Sequence, residues 1–186
     1  MRKIETKEDA MRKRRKNQII VGAVLVGLMI VSTLGYSLMN GASNQDKSSQ
    51  VTEGGYVFTR EGNLWKTSID GQTFRFQYLP SELENVPVEG NYELGAYYNQ
   101  PVYFVNLSPG VSEILMNLQD YILRYQEACL NGTECNENLP VKNCDSDLII
   151  FINGNETKVY NKQNCVFIEG EPIMGADAFL YRLLKI

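Results

Sequence analysis

Leu148-Ile-Ile-Phe-Ile152 places five apolar residues in a row and is followed by the turn pair Asn153-Gly154. A run this short, rich in β-branched side chains and closed by a turn, reads as a buried strand. Downstream, Thr157-Lys-Val-Tyr160 and Cys165-Val-Phe-Ile168 predict two more strands. Pro172 then leads into a closing helix over residues 173–184, with Phe179, Leu180, Leu183 and Leu184 apolar. Upstream lies a cysteine-rich loop, and before it a helix. Ser108 suits its N-cap and Pro109 its first position, and Val111, Ile114, Leu115, Leu118, Ile122 and Tyr125 recur at helical spacing. Asn131-Gly132 is the expected end of that helix, near the first cysteine.

The stretch before this helix carries β signals. Tyr56-Val-Phe-Thr59 and Leu64-Trp-Lys-Thr67 flank the hairpin turn Arg60-Glu-Gly-Asn63. Thr73-Phe-Arg-Phe-Gln-Tyr-Leu79 alternates apolar and polar until Pro80, and Val102-Tyr-Phe-Val105 makes a fourth strand. Residues 81–91 read as a loop with a short helical turn, and residues 92–95 as a short extended piece. The order ββββαβββα predicts an α+β class, a mixed sheet with two packed helices, occupying residues 55–186.

The first 54 residues have a different character. Eight Lys or Arg against Glu5, Glu8 and Asp9 give +5 before Gln18, so the remainder carries −9 within the net −4 of the chain. The basic cluster ends at Lys16. Residues 19–39 then contain no charge, and at about 1.5 Å per residue they reach roughly 30 Å, a bilayer core. Basic residues beside a span stay inside, which predicts a cytoplasmic tail (1–18), a single transmembrane helix (19–39), a small polar tether (40–54) and an outer domain at the cell membrane. The run exceeds the 7–15 apolar residues of a secretory signal, and Asn40-Gly41-Ala42 is a poor cleavage site. A prepilin-like reading lacks the cleavage-point glycine and the acidic residue inside the helix. The basic cluster borders an apolar span, which argues for the bilayer as partner and against nucleic acid. Ala23-x-x-x-Gly27 puts two small residues on one helix face.

Cys129, Cys135, Cys144 and Cys165 all lie on the outer side, an even number in an oxidising compartment, and predict two disulfides. Three connectivities are possible; Cys129–Cys135 with Cys144–Cys165 is favoured, closing a short loop and tying one strand entrance to a later strand. Spacings of five, eight and twenty residues, with no histidine in the chain, argue against zinc, and no other metal or cofactor is expected.

The ending Asn164-Cys-Val-Phe-Ile-Glu-Gly170 with Ala176-Asp-Ala-Phe-Leu-Tyr-Arg-Leu-Leu-Lys-Ile186 resembles that of uncharacterised archaeal membrane-anchored proteins. There a strand with Cys and an acidic-Gly turn precedes a helix similar to A-D-x-x-L-Y-x-x-L-G-I; Lys185 stands where that pattern has Gly. The resemblance spans about 40 residues. It implies a small extracytoplasmic α/β domain in an archaeal setting and no activity.

Three sequons, Asn106-Leu-Ser, Asn131-Gly-Thr and Asn155-Glu-Thr, are candidate glycosylation sites, the last two in accessible loops. Asp145-Ser-Asp147 offers paired carboxylates to a cation or a nucleotide-sugar phosphate, or forms a simple turn. Glu82, Glu84, Glu89, Glu169 and Glu171 are the pool for carboxylate acid–base chemistry, though nothing fixes their separations. The absence of histidine excludes Ser-His and Cys-His nucleophiles, and no glycine loop for phosphate is present. Tyr92, Tyr97, Tyr98, Tyr103, Tyr121 and Tyr125 supply either cross-strand packing or, around Tyr97-Tyr98-Asn-Gln-Pro101, an adhesive loop. The reading is a tethered binding or assembly module acting on another envelope or membrane protein. The alternatives are an anchored hydrolase or transferase using Asp145 and Asp147, and a pilin-like subunit. A flat aromatic patch favours the binder, and a pocket of converging carboxylates the enzyme.

Overall fold

The computed structural model describes residues 16, 18–30, 49–135 and 138–186. Two units are separate, 1–47 and 48–186. In the first, residues 18–30 are helical (α1) and their side chains are exposed. Among the described residues no helix is long and apolar enough to cross a membrane. Residues 31–39 of the expected span, and residues 40–48 of the expected tether, lie outside the described set.

The second unit is α+β. A four-stranded antiparallel meander comprises β1 (Gln50–Glu53), β2 (Tyr56–Glu61), β3 (Leu64–Ile69) and β4 (Gln72–Phe76). Strand β1 falls inside the stretch read as tether. Its pairing with β2, Val51 against Phe58, draws these few residues into the sheet.

After a 3-10 turn over Pro80–Leu83 come β5 (Val88–Glu89), the single-turn helix α2 (Leu94–Tyr97), β6 (Pro101–Val105) and α3 (Pro109–Leu118). The chain continues through β7 (Arg124–Glu127), β8 (Cys129–Leu130), β9 (Val141–Lys142), β10 (Asp147–Ile152), β11 (Lys158–Lys162) and β12 (Cys165–Glu169) to α4 (Pro172–Leu184). The second sheet runs β5-β11-β12-β10-β6-β7, with β12, β10, β6 and β7 mutually parallel and β11 antiparallel to β12. Strands β8 and β9 pair apart from it.

The central strand β10 explains its own composition. Ile149 and Phe151 join the core shared with α3, α4 and the meander, while Leu148 and Ile150 join a second cluster on the opposite face. A strand buried on both faces has no solvent side and hence no polar alternation.

Three expectations require correction. Helix α3 stops at Leu118, well before the expected end at Asn131-Gly132, and residues 124–127 form the parallel edge strand β7. Backbone bonds from Asn99 N to Tyr121 O and from Leu123 N to Gln100 O seize this chain for the sheet, overriding a helical period that alternation also fits. Residues 94–97 are helical where an extended piece was expected. The order ββββαβββα omits the short strands β1, β5, β7, β8 and β9, which are defined by their partners more than by their own residues.

Two glycines are fixed by close approach. A side chain on Gly110 would meet Pro172 O and the Phe151 ring, at 2.4 and 2.5 Å. Gly170 has φ +90°, and a Cβ there would meet Glu156 O at 2.5 Å, so the acidic-Gly turn before α4 admits nothing larger.

Candidate binding surface

Both disulfide pairs have the favoured connectivity: Cys129 with Cys135, and Cys144 with Cys165. Cys165 is wholly buried beneath the segment that the bridges hold.

The carboxylates singled out from the sequence do not converge. Glu82 accepts from Leu79 N at 2.6 Å, and Glu171 caps α4 by accepting from Met174 N. Glu169 pairs with Lys158 at 3.1 Å. Glu84 is exposed, and Glu89 lines a shallow hollow with Pro87, Lys158, Val159 and Tyr160. Asp145 accepts from Asn143 Nδ2 at 2.9 Å within its own turn. Asp147 opens β10, and partial burial raises its pKa. Neither aspartate lines any of the larger cavities described below. Among the described residues no group of three or more Cys, Asp or Glu is placed to hold a metal.

The buried acids are ones the sequence reading did not single out. Glu113 and Asn117 lie one turn apart on α3, and Asp177 lies on α4, all three at most 5% exposed. Asp177 Oδ2 accepts from Gln77 N at 2.8 Å and Tyr78 N at 2.9 Å. Asn117 clamps Arg75 through both its N–H and its carbonyl, and Gln77 Nε2 donates to Glu113 Oε2 at 3.1 Å. Tyr181 on α4 donates to Tyr78 O at 2.6 Å and stacks on Phe76 at 4.2 Å. Burial and then the neighbouring Glu113 charge raise the pKa of Asp177, against the two backbone N–H groups that lower it. Burial also raises that of Glu113. Among the described residues the remaining oxygens, Glu113 Oε1 and Asp177 Oδ1, have no donor, and a proton held between the two carboxyls would satisfy both. The signal was present as an acid enclosed by Ala176, Ala178, Phe179 and Leu180, and as a polar pair at i, i+4 on an otherwise apolar helix face. Glu113, Asn117 and Asp177 fasten the end of β4 to the helices and line none of the three sizeable cavities.

Three of those cavities are sizeable. One of about 570 Å³ lies beyond the carboxyl ends of β6, β10 and β12, lined by Asn106, Ser108, Phe151, Asn153, Ile168 and Pro172. Another, about 580 Å³, has the exposed Asp70 and Glu93 on its rim with Phe74, Tyr121 and Leu183. A third, about 440 Å³, lies between Leu83, Val88, Tyr181 and Ile186.

The tyrosines divide sharply. Tyr92, Tyr97 and Tyr103 are buried, and Tyr121 is half-buried, stacked on Phe74. Tyr98 is 68% exposed, Leu123 60% and Tyr125 57%. The bonds that tie residues 99–100 to 121–123 bring these side chains to one margin, where β7 is the terminal strand of the sheet. Apolar side chains beside an unpaired strand edge are the physical elements of a protein-docking surface.

The sequons also differ. Asn131 and Asn155 are exposed, whereas Asn106, held at φ +58°, donates its side-chain amide to Phe151 O at 3.0 Å. Comparison with protein-family models, curated proteins and solved structures gives no match.

Proposed function

We propose that this chain is a membrane-anchored extracytoplasmic binding module whose outer domain docks a neighbouring envelope or membrane protein. The observation that carries it is the exposed Tyr98, Leu123 and Tyr125 margin along the free edge strand β7. The occupant is an extended segment of that protein, adding a strand to β7 through backbone hydrogen bonds and seating apolar side chains against Leu123 and Tyr125. The uncharged run over residues 19–39, the basic tail and the archaeal resemblance support the anchored, outward-facing placement. The stapled cysteines support an oxidising compartment, and glycosylation at Asn131 and Asn155 belongs to the same proposal.

The test is photocrosslinking from position 125 in native membranes, with identification of the captured peptide. An extended segment of one membrane or envelope protein is expected, lost in Leu123→Asp and retained in Glu84→Gln. Recovery of monomer alone, or capture that survives Leu123→Asp, overturns the proposal.

A further inference from the structure

Residues 18–186 hold ten Lys or Arg against nineteen Asp or Glu, so a pair of cations without an acidic partner stands out against its background. Among the described residues Arg124 on β7 and Lys142 on β9 form such a pair. Both turn toward Tyr103 of β6, whose side chain is only 4% exposed. Arg124 Nη2 lies 3.4 Å from the Tyr103 hydroxyl, and Lys142 Nζ lies 4.5 Å from the ring centroid. The register explains the meeting: Arg124 is level with Pro101, two residues before Tyr103 on the same sheet face. Lys142 arrives from across the stapled segment, two residues before Cys144, with β9 paired to β8 beside Cys129.

Among the described residues no carboxylate lies within ion-pair distance of either cation; the pairs formed are Arg75–Glu61 and Lys158–Glu169. The hydroxyl receives Arg124 as a donor, and its own hydrogen has no acceptor among these neighbours. Guanidinium and ammonium thus both approach Tyr103, one at its hydroxyl and one over its ring, with no carboxylate acceptor among the described residues, and the two like charges repel until an anion joins them. The cations also lower the Tyr103 pKa, Lys142 foremost through its hydrogen bond.

We infer that Tyr103, Arg124 and Lys142 form a binding site for a tetrahedral oxyanion, the phosphate or sulfate group of a ligand. Arg124 supplies two parallel N–H donors and Lys142 a point charge, a pairing suited to an anion with several equivalent oxygens. The site lies on the opposite face of β7 from Tyr125 and does not depend on the docking proposal, because its probe is an inorganic ion.

The experiment is calorimetric titration of the full chain in detergent with sodium phosphate and sodium sulfate, against sodium acetate and sodium chloride at equal ionic strength. Saturable low-millimolar binding of phosphate or sulfate is expected, weakened about tenfold in Lys142→Gln and in Arg124→Gln, in line with loss of one charge-assisted bond. Tyr103→Phe weakens it severalfold, while Lys66→Gln, removing a cation elsewhere, leaves it unchanged. Arg124→Lys, which keeps the charge and loses the fork, falls between wild type and Arg124→Gln and serves if the glutamine variant does not fold. Binding no stronger than that of chloride, binding unaltered in both glutamine variants, or acetate bound as tightly as phosphate each overturns the inference.

Discussion

The two faces of the six-stranded sheet are closed in different ways. One face carries Val102, Phe104, Ile149, Phe151, Val166 and Ile168 beneath α3 and α4, which also pack on the meander. The other carries Tyr103, Val105, Leu148, Ile150 and Cys165 beneath a short cysteine-rich segment. Helices satisfy their own backbone and present an apolar stripe, so the first face is sealed by side-chain packing. The second cover has only two two-residue strands, too little structure to hold itself. Two disulfides supply what packing does not. The helix-covered side in turn has its own polar fastening, in Glu113, Asn117 and Asp177. Each cover therefore depends on a small number of specific bonds, covalent on one side and hydrogen-bonded on the other.

The largest expected effect comes from breaking the hydrogen-bonded side. Asp177→Ala leaves Gln77 N and Tyr78 N without their acceptor in a dry environment, and about 3–5 kcal/mol of unfolding free energy is expected to go. Chemical denaturation of wild type and variant measures it.

Removing the Cys144–Cys165 bridge by paired serine substitutions tests the other cover. The loop spans 21 residues, and about 3 kcal/mol is the expected loss. Amide exchange is expected to accelerate in β8 and β9 while α3 and α4 stay protected. Equal acceleration on both faces would show that the two covers are one cooperative unit.

Protonation sharpens the comparison. A carboxyl pKa raised on folding means that the folded state holds a proton the unfolded state has released. Its stability is therefore fullest below the ordinary carboxylate range, about pH 4, and declines as pH rises through the raised value. Glu113→Gln replaces the shared proton by a permanent N–H. The variant is expected to exceed wild type by about 1–2 kcal/mol in mildly alkaline buffer and to flatten this decline. Parallel pH profiles of thermal midpoint for the two proteins would contradict proton sharing.

The smallest effect is at the end of α4. Lys185 closes the helix at φ +60°, a conformation that glycine adopts without a Cβ penalty. Lys185→Gly is expected to stabilise the domain by about 0.5–1 kcal/mol, seen as a small rise in thermal midpoint.

Particular residues show how far the sequence can be read. The apolar runs that became β6, β10 and β12 and the proline starts of α3 and α4 were legible, because short-range chemistry decides them, whereas Ser108 makes no side-chain cap bond and the Cys144–Cys165 pairing across 21 residues was one of three open connectivities. Strand β7 was not, because Ile122 and Tyr125 satisfy a helical period and only the neighbouring β6 backbone chooses otherwise. Glu113 and Asp177 were passed over because an acid inside an apolar stretch has no visible partner until α3, α4 and the end of β4 meet. The cluster of Tyr103, Arg124 and Lys142 comes from three strands spread over 40 residues, and no local pattern announces it.

By itself the sequence determined the local states: the uncharged run over 19–39, the α+β class, and where most strands and both longer helices begin. These follow from hydropathy, spacing and turn chemistry, which act over a few residues. Tertiary structure alone decided which tyrosines face solvent, which acids share a dry interior and which cations converge on Tyr103. Those outcomes depend on distances between residues far apart in the chain, fixed only when the strands take their order in the sheet.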